Sequence, residues 1–121
     1  MTKEVRPSIA LFIAFWRKHL ETTNFGSGCP VLAVCLEEAS DKQGVAPGDQ
    51  EAAEQARLLD IANSVFLDWR SIIAKALQRE GVSADRAKRL ATLSVAAVEG
   101  TVAMCRASRN AQSLDDVSRE L

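Results

Sequence analysis

The stretch SVAAVEGTVAMCRAS, residues 94–108, has the composition of a helix interior, with apolar or small residues nearly all the way round. Leu93, Ala97, Gly100, Thr101 and Met104 line one side of such a helix, while Val95, Val98, Val102 and Cys105 line others. An ordinary surface helix of a globular protein carries one apolar stripe of about 100°. A helix greasy on more than one side is either buried deep in its own chain or covered in part by a second chain. Gly100 sharpens the question, because a glycine inside a helix costs about 0.5–1 kcal/mol relative to alanine. Ala96, Ala97, Gly100, Thr101 and Ala103 are small enough to let two helix backbones approach closely, within a subunit or between subunits. Apolar character on several sides favours the second arrangement, a two-fold interface in which this helix and the next from each chain form an intersubunit four-helix bundle. The expected interface residues are Leu93, Ala96, Ala97, Gly100, Thr101 and Met104, with Leu114, Val117 and Leu121 of the final helix. Glu99 interrupts the apolar run. It reads as a rim residue paired with Arg106 or Arg109, or as a buried residue at a ligand, which would then require a partner because an unpaired buried carboxylate is costly.

Working outward, Ser83 reads as the cap of this helix, whose first turns carry Asp85, Arg86, Lys88 and Arg89 on a solvated side and which runs to Asn110. The SLDD stretch from Ser113 resembles a capping pattern and opens a short last helix with Leu114, Val117 and Leu121 inward. Upstream, Asp49 reads as the cap of a long helix closed by Gly81, with Glu51 and Glu54 near the positive end of its dipole. Its broad apolar face comprises Leu58, Leu59, Ala62, Val65, Phe66, Trp69, Ile72, Ile73, Ala76 and Leu77, and Leu67 falls on the polar side. The long helix and the one after it, joined through REGVSAD, should form an antiparallel hairpin. The segment CPVLAVCLEEAS is continuously apolar from Val31 to Leu36 and at first sight a buried strand. No other stretch offers a strand to pair with, and a helix satisfies its own backbone groups, so a helix beginning at Pro30 is the better reading. DKQGVAPGD then supplies a Gly- and Pro-rich loop. The first helix covers residues 7–23, with Ile9, Phe12, Ile13, Trp16 and Leu20 on one stripe that Leu11 and Phe15 widen. The fold class is all-α with five helices.

At 121 residues the chain is long enough for one domain that buries roughly two thirds of its unfolded surface. Fifteen Lys and Arg against sixteen Asp and Glu leave a formal charge of -1, with no electrostatic footprint for nucleic acid. Cys29, Cys35 and Cys105 are odd in number, lack paired metal-site spacing and sit in apolar runs, which reads as reduced thiols in a cytoplasmic protein. The eight apolar residues from Ile9 to Trp16 are followed by Arg17, Lys18 and His19 and by no small-residue cleavage site. They make neither a signal peptide nor a membrane span, which needs ~20 apolar residues.

Catalytic chemistry finds no support. His19, the only histidine, follows two basic residues near a helix end and reads as a surface residue; no nucleophile pairs with a base, and no glycine-rich phosphate loop follows a strand. No catalytic residue, metal site or cofactor is expected. Phe12, Phe15, Trp16, Phe66 and Trp69 each fit an ordinary core taken singly. Together they can wall an apolar pocket between helices, in which the two indole N–H groups would orient a small ligand.

The series FIAFWRKHL, GCPVLAVCLE, FLDWRSIIAKALQREGVSADRAKRLATL and VAAVEGTVAMCRASRNAQSLDDVSREL resembles the C-terminal regulatory domain of TetR-family transcriptional repressors, most closely the LmrA/YxaF-like branch. The GCPV helix start, the tryptophan of the long helix, and the EG pair followed by an arginine, a short turn and a last helix carry the likeness, from Ile9 to Leu121. The resemblance implies an all-helical domain that binds small apolar or aromatic effectors, forms a homodimer through its last two helices and contacts DNA only through an N-terminal helix-turn-helix. The residues before Pro7 are too few for such a reader. The expectation is therefore a tail or linker remnant over residues 1–6 and the regulatory domain over 7–121, without the DNA-binding domain. A stand-alone helical dimerisation module that senses no ligand is the alternative.

Overall fold

The computed structural model describes residues 7–37 and 48–121. Its elements are α1 (Pro7–Thr22), α2 (Pro30–Leu36), α3 (Asp49–Arg79), α4 (Ala84–Ser108) and α5 (Gln112–Glu120), with no strand among the described residues. The all-α, five-helix expectation holds, and the apolar segment after Cys29 is a helix. Residues 1–6 and most of the Gly- and Pro-rich loop lie outside the described residues.

Helix α4 is central and packs against α1, α3 and α5. Its buried residues Ala87, Ala91, Val95, Val98, Val102 and Cys105 meet Ile9, Ile13, Trp16 and Leu20 of α1, Ile73 and Leu77 of α3, and Leu114 of α5 in one core. Small side chains at Ala87 and Ala91 allow close neighbours on the α3 side, where the hairpin expected from REGVSAD forms. By length and composition α4 could cross a membrane; its core position accounts for part of this apolarity, and Leu93 and Met104 remain exposed.

The helix ends depart in detail from the expected caps. Gly48, not Asp49, stands at the start of α3, and Asp49 is the first helical residue, where its charge still favours the positive helix end. Ser83 occupies the expected position before α4, but its side chain makes no capping bond. Helix α4 stops at Ser108, because Arg109 enters the left-handed region at φ 59° and the Asn110 N–H donates back to the Cys105 carbonyl at 3.3 Å. Reversal that early lets Asn110 Oδ1 accept the Gln112 N–H at 3.0 Å, so the start of α5 is held by Asn110 rather than Ser113.

Not all of the expected α3 face is covered. Ala62, Ile73 and Leu77 are buried and Val65, Phe66, Trp69 and Ala76 half-buried, while Leu58, Leu59 and Ile72 are exposed. Ala62 is the first buried position, and the part of α3 before it outruns the core. There the Gln55 side chain donates to the Glu37 carbonyl at 2.9 Å and ties α3 to the end of α2. At the opposite end of the domain, the Glu80 carboxylate accepts from the Ser8 N–H at 3.0 Å and from its hydroxyl at 3.3 Å, joining the end of α3 to the first turn of α1.

Leu20 is fully buried at the junction of α1 with α4. Leu20→Ala should lower the unfolding free energy by about 2–5 kcal/mol, the usual cost of a core leucine truncation, as measured by urea denaturation followed by circular dichroism.

Candidate functional site

The last turn of α1, the 23–29 segment, α2 and the second half of α4 surround a half-open cavity of about 490 Å³. Its placement begins with the end of α1. Asn24 and Phe25 both adopt left-handed backbone, at φ 53° and 59°, a conformation costing roughly 1–2 kcal/mol for each non-glycine residue. The cost is offset locally. The Phe25 N–H donates to the Leu20 carbonyl at 2.7 Å and the Thr23 hydroxyl to the His19 carbonyl at 2.9 Å, while Phe25 packs on the core. From α4, Arg106 donates to the Phe25 and Gly26 carbonyls at 3.4 and 3.1 Å. Gly28 permits this clamp, because a Cβ there would lie 3.2 Å from the Arg106 Cδ. Pro30 then opens α2, whose Leu32, Ala33 and Leu36 form the aliphatic wall opposite α4.

Two polar groups at this cavity lack partners. Glu99 is 4% exposed, and neither carboxylate oxygen has a hydrogen-bond partner. Burial raises its pKa above the ordinary 4.5, and the neighbouring Cys29 thiol opposes this weakly without hydrogen-bonding geometry to either oxygen. Burial likewise pushes the Cys29 thiol up to about 11, with Glu99 adding to the rise, so this cysteine is a protonated, unreactive lining residue at neutral pH. The rim ion pair expected of Glu99 is absent: Arg106 is committed to main-chain carbonyls, and the ion pair among the described residues joins Arg17 of α1 to Asp115 of α5. His19 is not a plain surface residue. Its ring packs edge-on to Trp16 at 5.5 Å, and its Nε2 is buried without a partner on the wall of the cavity.

The five aromatic residues singled out in the sequence do come together, between α1 and α3. Trp69 meets Phe12, Trp16 and Phe66 edge-to-face at 6.0, 6.1 and 5.6 Å. Phe12, Phe15, Trp16 and Trp69, with Ile72 and Ile73, line a separate concavity of about 300 Å³, and Phe66 lies behind it. Trp16 is buried with its indole N–H unpaired, whereas Phe15 is largely exposed. The cluster is thus partly core and partly surface.

The proposed interface residues divide. Leu93, Ala96, Gly100 and Met104 form an exposed strip along α4, with Ala97 at its edge, and Val117 of α5 and the following Leu121 are half-buried. No heavy atom lies within 4 Å of where a Gly100 Cβ would sit. Thr101 and Leu114 instead face the core of their own chain, at 4% and 0% exposure, and so lie beneath that strip rather than on it. Helical periodicity places Thr101 beside Gly100 but turned about 100° away.

The residues from Pro7 to the end of α5 match the C-terminal domain of the LmrA/YxaF-like transcriptional regulators, over positions 7–120. The chain belongs to this TetR-type family. It is also 35% identical over 106 residues to HTH-type transcriptional regulators, themselves uncharacterised, in two strains of Mycobacterium tuberculosis. That alignment takes in 88% of this chain and 50% of each relative, so the chain spans about half the length of the curated relatives it matches. No solved structure matches it. TetR-family membership places the chain among transcriptional regulators, a class that is generally not enzymatic.

The raised pKa of Glu99 has a signed consequence for this TetR-type domain. A carboxyl that holds its proton more tightly when folded contributes stability below its ordinary pKa and loses it as pH rises through the folded value. E99Q should therefore gain in melting temperature on the wild type as pH rises from about 4.5 towards neutrality. Thermal melts across that range check this, and a constant difference would contradict the burial of an ionisable group.

Proposed function

We propose that this chain is the effector-binding and dimerisation domain of a cytoplasmic TetR-family transcriptional regulator. A small apolar or aromatic molecule held within the helical domain would control DNA binding by a helix-turn-helix outside this chain. The observation that carries this reading is the double role of α4. One side of it, at Glu99, Val102 and Arg106, walls the cavity, and another, at Leu93, Ala96, Gly100 and Met104, is left bare by its own chain.

The physical requirement for such a switch is that the effector bind one arrangement of the dimer more tightly than another. A molecule seated against α4 bears on the same rigid rod that would contact the second copy. Because paired DNA readers must fit half-sites at fixed spacing, a small change in how two rods cross alters operator affinity. The aromatic cluster has a place in this scheme. Trp16 touches both His19 at the cavity and Trp69 of α3, so movement of α1 would be felt by both indoles.

Self-association is tested with Gly100→Leu. A Cβ at this exposed position meets nothing within 4 Å in its own protomer, and leucine favours helix over glycine, so the folded chain should be kept or stabilised. The dimer should weaken by about 5- to 150-fold through overpacking at a close crossing, on the order of 1–3 kcal/mol. Sedimentation velocity of both proteins measures this, and a monomeric wild type or an unaffected variant overturns the interface. Effector binding is tested with a panel of apolar and aromatic compounds, with and without polar head groups, which should change tryptophan fluorescence and raise the melting temperature. A ligand at a hundred times its Kd adds about 2.7 kcal/mol. A panel with neither response favours a dimerisation module without sensing.

A further inference from the structure

We propose that the cavity between α1, α2 and α4 selects organic amines, seating a protonated amino group against Glu99 and an aliphatic body along Leu32, Ala33, Leu36 and Val102. The proposal rests on the reading that this cavity holds the effector and adds the chemistry of the guest.

The polar inventory decides the class. Glu99 brings two acceptor oxygens with no donor, and His19 brings one nitrogen with no partner. The charged and titratable groups around Glu99 are His19 from α1, Cys29 ahead of α2 and Arg106 of α4. None neutralises it. Arg106 has turned its Nε and Nη2 donors to the Phe25 and Gly26 carbonyls, and the Cys29 thiol is a weak donor without good geometry. A purely apolar guest would complete the desolvation of the carboxyl while giving it nothing. A carboxylate guest would set acceptors and negative charge beside acceptors. An alcohol supplies one donor. An ammonium group supplies three donors and the compensating charge, which is the condition under which a carboxylate can be buried in its ionised form. The remaining wall is aliphatic, and about 490 Å³ falls within the ~300–1,000 Å³ common for small-molecule pockets.

Cyclohexylmethylamine, cyclohexylmethanol and cyclohexanecarboxylate share one apolar body and differ in the head group. Titrated into the purified chain at neutral pH by calorimetry, the amine should bind about tenfold more tightly than the alcohol, because it adds further donors and an opposite charge where the alcohol supplies one donor. The carboxylate should bind more weakly than the alcohol. E99Q should bring the amine down to the affinity of the alcohol. Ala33→Trp, which fills the cavity from an exposed position on α2, should abolish binding of both. Should E99Q fail to fold, the carboxyl 13C resonance of Glu99 in the wild type serves instead, and it should move to its ionised position on amine addition. An amine and an alcohol of equal affinity, both lost in Ala33→Trp, would overturn amine selectivity and leave the effector cavity standing. Amine binding that survives Ala33→Trp, or an unmoved Glu99 resonance, would overturn the assignment to this cavity. Binding by none of the three compounds would overturn it together with the effector role of the cavity.

Discussion

Helix α4 has to fit three different surroundings along one rod: the core formed with α1, α3 and α5, the cavity beside α2, and a side that its own chain leaves bare. Only small side chains allow neighbours on so many sides, which is why Ala87, Ala91, Ser94 and Val98 can all be fully buried. Polar residues survive on such a helix if they satisfy themselves. The Ser94 hydroxyl donates to the Leu90 carbonyl at 2.7 Å, and the Thr101 hydroxyl donates to the Ala97 carbonyl in the same way. A glutamate has no such route, since an ionised carboxylate only accepts and the helix carbonyls only accept. Glu99 is therefore the buried polar side chain of α4 that its own helix cannot satisfy.

The cavity owes its existence to a turn rather than to a helix. Two consecutive left-handed residues, Asn24 and Phe25, redirect the chain after α1 and send Cys29 and α2 across the side of α4. Arg106 holds that turn by its carbonyls, from the same helix that carries Glu99. In this arrangement the arginine makes no ion pair with Glu99. A single residue thus builds the wall of the cavity and leaves the acid inside it unpaired.

Much of the architecture was legible because helical periodicity and punctuation are local properties. The apolar stripe of α1 and the Gly81 stop both follow from residue spacing. The caps were less legible, since Asp49, Asn110 and Ser113 are all competent capping residues and one early left-handed residue, Arg109, decides between the last two. The site was legible only in part. A helix apolar on every side gives no cue as to which side meets which neighbour, so the spacing could not place Glu99 inside or Thr101 and Leu114 away from the strip. His19 follows Arg17 and Lys18 and has the local pattern of a solvated helix end. Its burial depends on the fold-back of residues 26–36, a contact between segments that no local pattern encodes. The aromatic cluster was the opposite case: large side chains at helical spacing on α1 and α3 come together where those helices pack, with Phe15 left largely exposed.

Glu99 and Gly100 are adjacent in sequence, and adjacent helical residues point about 100° apart. The acid therefore faces the cavity while the glycine faces outward, with no flexible element between them. A helix is stiff over this distance, and close-packed interfaces favour discrete seatings over continuous deformation. On the proposed reading, a guest that relieves Glu99 would change which seating is most stable, because it would remove the unsatisfied polar burden that Glu99 carries on that side of the rod. The same displacement would reach Gly100, where the lack of a side chain puts the backbone itself at the surface. On the proposed reading, coupling between effector and dimer needs no extended pathway through the protein, only two faces of a single helical turn.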